Sequence, residues 1–221
     1  ANPEGGDYSV TPMDGAMLTR MLHTTLKFDA KIWAEWAYSA GVDERGISFV
    51  LTYPELVNSE RTTPRSLTQF FEQIASIEDL KGNLQLVEAL ALSSLDEVTV
   101  SSFIAFVNDE LTQLIDPEEI LDAEDFKSIS KKIKDISVDD SGAKRVDRLS
   151  TMCSRLYLKL TSEDYNPEKN HSENLVQFLL LDTIPNDLLM SLYMDLQKHG
   201  GDEIKEMTRD KKLASKLLST L

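Results

Sequence analysis

Thr63-Pro64-Arg65-Ser66-Leu67-Thr68-Gln69-Phe70-Phe71-Glu72-Gln73-Ile74 is the stretch on which the fold class turns. A threonine able to cap a helix precedes a proline suited to the first helical position. Leu67, Phe70, Phe71 and Ile74 then recur at the spacing of one helix face. The same logic extends in both directions. Upstream, Asp29 is placed to cap a helix carrying Ile32, Trp33, Trp36 and Ala37, with Gly41 as its stop. Trp33 and Trp36, three residues apart, are expected to pack that helix. A second segment, about 43 to 53, carries Ile47, Phe49, Val50 and Leu51 and is interrupted by Pro54. Downstream, helical patterns follow near 80 to 95 and from 99 to 115, the latter marked by Val100, Phe103, Ile104, Val107 and Leu111.

Asp116-Pro117-Glu118-Glu119 reads as a boundary. Beyond it come a helix, the polar loop Asp139-Asp140-Ser141-Gly142 and an amphipathic helix over 144–160, which bears Val146, Leu149, Met152, Cys153, Leu156 and Leu160. A loop over 166–170 leads to an apolar helix at 173–183, and Pro185 separates this from another at 186–198. Residues 1–28 are irregular apart from a helical stretch in which Met17, Leu18, Met21 and Leu22 share a face. Thr24-Thr25-Leu26-Lys27-Phe28 is either a short strand or an extended linker. No strand is long enough for a sheet. The class is mainly α.

Composition limits the function. The 221 residues include 23 Lys and Arg against 38 Asp and Glu, a net charge of −15, which disfavours nucleic acid or an anionic membrane surface as the main partner. No apolar run approaches the ~20 residues of a membrane span. One cysteine, Cys153, excludes an internal disulfide, and His23, His171 and His199 form no zinc pattern. The chain reads as soluble and cytoplasmic. Ala1 in place of an initiator methionine, with no signal peptide behind it, reads as the start of a fragment.

Three strings carry chemistry in a fixed order: ANPEGGDYSV, PMDGAMLTRM and TTPRSLTQFF. Eighteen residues separate Asn2 from Arg20, and 45 separate Arg20 from Arg65. Over about residues 1 to 78 the chain resembles the second half of an AAA+ ATPase module of the MoxR-like and dynein-related branch. The resemblance implies a remnant of the α/β core over 1–28, a helical lid over 29–116 and a helical extension over 117–221. It implies catalytic roles for Asn2, a sensor-1 amide that orients the attacking water, and for Arg20, an arginine finger reaching a neighbouring subunit's γ-phosphate. Arg65 would be sensor 2, binding the phosphates of its own subunit. ATP and Mg²⁺ are the implied cofactors of the parent protein, and none is expected on this segment alone. The implied partners are further copies of itself in a ring and a protein substrate or adaptor, on which the machine would do remodelling or chaperone-type work.

The departures are as informative. There is no G-x-x-x-x-G-K-[ST] string to cradle a triphosphate and no Walker-B strand in place. Leu95-Asp96-Glu97 imitates one but lies downstream of sensor 1, where Asp96 and Glu97 read as solvated residues at a helix boundary. The Walker half is expected upstream of Ala1, and this polypeptide alone should not hydrolyse ATP. The rival reading is a non-enzymatic all-α protein-interaction module; a clamp-loader-like replication ATPase fits the acidity less well. The acidic run Asp116, Glu118, Glu119, Asp122, Glu124 and Asp125 lacks the glycine of a calcium loop and reads as a dressed helix N-terminus. Lys131-Lys132 and Lys211-Lys212 read as solvated faces, and the sequon Asn170-His171-Ser172 as idle.

Overall fold

The computed structural model describes residues 14–139 and 141–218. Within them the chain is mainly helical. The only β pairing among the described residues is a single antiparallel bridge between Val138 and Lys144, which closes the polar loop between them. Among the described residues no helix is long and apolar enough to cross a membrane.

A short helix, α1 (Gly15–Leu18), opens the described chain. The helical stretch expected around Met17 to Leu22 is therefore cut off at Leu18, and its apolar face is uncovered: Met17 is 50% exposed and Leu22 93%. Thr24 to Phe28 form an extended linker, not a strand. Helix α2 (Ala30–Ser39) begins where the Asp29 carboxylate accepts the amides of Lys31 and Ile32. It stops at Gly41, whose φ of +71° suits a residue without a Cβ. Helix α3 (Glu44–Thr52) is capped by Asp43 and ends before Pro54. Thr63 and Ser66 form a reciprocal capping box at the start of α4 (Pro64–Ile74).

Helices α5 (Leu84–Ser94) and α6 (Glu97–Ala105) follow. The sequence predicts one continuous helix over 99–115, but after Ala105 the chain widens into a π turn at Phe106–Glu110 and tightens into a 3-10 turn at Leu111–Gln113. Next come α7 (Pro117–Leu121), α8 (Phe126–Ile136, capped by Asp125) and the long α9 (Val146–Thr161). Helix α10 (His171–Leu179) is shorter than the predicted 173–183 because Leu180 caps it and the chain turns toward Pro185. Helices α11 (Asn186–His199), α12 (Asp202–Met207) and α13 (Lys211–Leu218) complete the fold.

The first half of the core is aromatic. Phe103 meets Phe49 and Phe70 edge-on, each with ring centroids 5.0 Å apart, and Phe71 lies between Phe70 and Trp33. Such pairs add about 0.5–1.5 kcal/mol each beyond the area they bury. Trp33 is buried, but Trp36 is 52% exposed, so only the first of the two tryptophans packs the helix fully. Helix α9 is the axis of the second half. It packs on α2, α3, α7 and α11, so elements on both sides of Asp116 share one core. Thr52 and Thr151 hydrogen-bond across that junction at 3.0 Å.

Gly46 tests the tightness of this packing. A Cβ there would lie 2.6 Å from Cδ1 and Cδ2 of Phe71, itself fully buried. Gly46→Ala should gain about 1 kcal/mol of helix propensity and lose about 1–3 to overpacking. The expected outcome is a lower urea midpoint for Gly46→Ala and a much lower one for Gly46→Val. A midpoint raised by alanine would mean that Phe71 moves aside freely.

Candidate functional site

The predicted site residues fall in three different settings. Asn2 lies outside the described residues. Arg20 does not sit within a helix: it follows the α1 cap, Thr19, in a turn where its amide bonds the Met17 carbonyl at 3.1 Å. Arg65 is the second residue of α4, fixed by the Thr63–Ser66 box, with an exposed side chain.

The other arginines give these two their meaning. Arg45 donates to Asp43 and to the carbonyls of Ile74, Ile77 and Glu78, tying α3 to the end of α4. Arg61 reaches the carbonyls of Leu92 and Ser93. Arg155 pairs with Asp116 at 2.6 Å. Arg145 and Arg148 converge on Glu110, at 2.8 and 2.6 Å. All five hold elements together. The guanidinium groups of Arg20 and Arg65, like that of the exposed Arg209 near the C-terminus, bind nothing among the described residues.

Several carboxylates that read as solvated are structural. Asp96 accepts from the Ser59 hydroxyl and from the amides of Thr62 and Arg61, at 2.8 and 3.2 Å for the amides. Burial opposes its ionisation, but the Ser59 and Thr62 bonds outweigh this and hold its carboxyl below the usual range. Only Glu97 of that pair is simply exposed. The acidic run is likewise divided among partners: Glu118 pairs with Lys159, Glu119 with Lys132, and Asp122 with His171. It fastens α7 to α8, α9 and α10. Lys132 makes its ion pair on an exposed face, in keeping with its reading as part of a solvated one.

Asp122, Glu168 and His171 bring three potential metal-ligand atoms within 4.8 Å of one another. The hydrogen bonds argue against a metal centre. The Glu168 amide, which can only donate, points at His171 Nδ1 at 3.2 Å, and the Tyr165 hydroxyl lies 3.0 Å from the same atom. Burial pushes the Tyr165 hydroxyl up to about 12, so it keeps its proton. Nδ1 therefore presents a lone pair, and the ring proton sits on Nε2, donated to Asp122 Oδ1 at 2.7 Å. A metal on Nε2 would drive that proton to Nδ1, against the Glu168 amide. The donor set does not fit a metal. Added zinc is expected to leave the melting temperature unchanged, whereas His171→Ala should cost about 1–3 kcal/mol through the orphaned partners; zinc-dependent stabilisation would reverse the assignment.

Cys153 faces a recess between α2, α9 and α11 and is buried, which pushes its thiol up to about 12 and keeps it from acting as a nucleophile. Tyr157 shares that recess and donates its hydroxyl to Glu35 at 2.9 Å, while Lys31 pairs with Asp195. These contacts span 122 and 164 residues of sequence, so no local pattern announces them. No protein-family profile, curated protein or solved structure matches the chain.

Proposed function

We propose that the chain is the finger-and-lid portion of a ring-forming AAA+ ATPase that remodels a protein partner, with residues 117–221 as a helical extension. The observation that carries this reading is the state of Arg65. It is mounted in the first turn of a capped helix, yet its guanidinium binds nothing among the described residues, as a group reserved for an anionic ligand would. Arg20 supports it from an exposed segment whose apolar neighbours, Leu22 and Leu26, are uncovered. In this reading Asn2 orients water, Arg20 acts in trans, Arg65 couples the lid to the phosphates, and ATP with Mg²⁺ is held by a P-loop outside this segment.

The reading frame ahead of Ala1 is the direct test: a G-x-x-x-x-G-K-[ST] string is the expected finding, and its absence removes the proposal. The chain alone should show no ATP hydrolysis and no micromolar affinity for ATP with Mg²⁺ in isothermal titration. Arg65→Ala should change stability by about 0.5 kcal/mol or less, since the side chain is exposed and unbonded. A melting curve showing several kcal/mol lost would make Arg65 a structural group instead.

A further inference from the structure

Tyr157, near the end of α9, borders two recesses. In one, Lys31 lies with Nζ 4.5 Å from the centre of the Tyr157 ring and forms an ion pair with Asp195. An aromatic face and a carboxylate hold an ammonium group there, an arrangement favourable on electrostatic grounds. The second recess, about 390 Å³, lies between α2, the C-terminal end of α9 and the end of α11. It repeats the same ingredients without a lysine or arginine among its described lining residues. Tyr38, Tyr157 and His199 supply rings, and Glu35, Glu163 and Asp164 supply carboxylates.

The lysines beside Tyr157 and Tyr38 are already committed. Lys31 pairs with Asp195, and Lys159 pairs with Glu118 at 2.6 Å. Glu35 accepts the Tyr157 hydroxyl, while the exposed Glu163 and Asp164 accept nothing from the described residues. The carboxylates do not converge as metal ligands: among the described residues only the Asp122 group brings three such atoms within 4.8 Å. Spread carboxylates flanked by rings suit a large, weakly hydrated cation on an apolar stem better than a metal ion. A chain of net charge −15 also draws cations toward it.

We propose that this recess binds the guanidinium end of an arginine side chain presented by a partner polypeptide. Tyr38 and Tyr157 flank the stem, and Glu35, Glu163 and Asp164 face the charge. Neither Arg20 nor Arg65 takes part, so the proposal stands or falls apart from the nucleotide reading.

The test is a titration of the ¹⁵N-labelled full chain, at low ionic strength, with a capped glycine–serine hexapeptide bearing one arginine. Its citrulline counterpart and N-acetylarginine methylamide serve as comparators. The arginine peptide should cause saturable shifts at the amides of Glu35, Tyr38, Glu163 and Asp164, and the citrulline peptide none. The double variant Glu163→Gln/Asp164→Asn, which removes only exposed, unbonded charges, should bind about fivefold more weakly, as expected for two exposed ion pairs. The peptide should bind more tightly than free N-acetylarginine methylamide. Absent shifts, equal shifts with citrulline, or undiminished binding by the double variant would overturn the site. Equal affinity for the free arginine derivative would overturn the polypeptide as its source.

Discussion

Glu110→Ala is expected to destabilise the protein by about 3–5 kcal/mol, the cost of leaving a buried charge without its partner. Glu110 and Arg148 are each only 9% exposed. Arg148 donates twice to Glu110, Nε to Oε2 at 2.6 Å and an η nitrogen to Oε1 at 3.0 Å. Its one other bond is a long 3.4 Å contact to the Ile136 carbonyl. Arg145, by contrast, retains Asp147 when Glu110 is removed. The stranded group is therefore Arg148. Urea unfolding of Glu110→Ala, Arg148→Met and the double variant Glu110→Leu/Arg148→Met separates the cost of an orphan from the net worth of the pair. The double variant should recover most of the loss, because an apolar replacement avoids both desolvation costs. If the double variant is as unstable as Glu110→Ala, the damage comes from packing around the π turn and not from the unpaired charge.

The same cluster fixes a pH dependence. Burial opposes ionisation of Glu110, but Arg148 and Arg145 outweigh it and hold the carboxyl below its usual value of 4.5. A folded-state value below the unfolded one means that the stabilisation is fully present above the unfolded value. It is lost as pH falls through the folded one. Stability measured from pH 6 downward should therefore decline less steeply in the Glu110→Leu/Arg148→Met variant than in the wild type.

Glu110 also marks where the sequence stops being informative. Asp29 and Thr63 accept amides two or three positions away and Pro64 takes the first helical position, so these helix starts are written locally and legible. Gly41 is legible for the same reason, as a turn position that needs a positive φ. The π turn at Phe106–Glu110 is not, since its carboxylate answers to arginines 35 and 38 residues away. The role of Asp96 is hidden by the same cause: the loop it ties, Ser59 to Thr62, is more than 30 residues upstream. The apolar spacing of Met17, Leu18, Met21 and Leu22 was real, but periodicity reports only that a face exists, not that anything covers it. Of the candidate site, the placement of Arg65 at a helix start was readable from Thr63-Pro64, whereas the setting of Arg20 in a turn was not.

On the proposed reading, Arg20→Ala carries the largest expected effect on activity, in a parent protein that bears the P-loop. An arginine finger stabilises charge developing on another subunit's γ-phosphate, so its effect must appear only in the assembled ring. Trans arginines of this kind are worth about 10³–10⁵ in turnover, and the lower end or less is expected where chemistry does not limit the rate. The variant should therefore lower kcat strongly while leaving ATP affinity within a few-fold, and its own fold should be unchanged, because Arg20 is exposed and its guanidinium binds nothing among the described residues. Mixing it with a variant dead in the P-loop should restore part of the activity, since some interfaces then join an intact nucleotide site to an intact finger. A cis-acting residue that merely supports assembly could also be rescued by mixing, so sedimentation must first show that each variant forms rings. With rings intact, full turnover in Arg20→Ala, or no recovery on mixing, returns Arg20 to a surface charge.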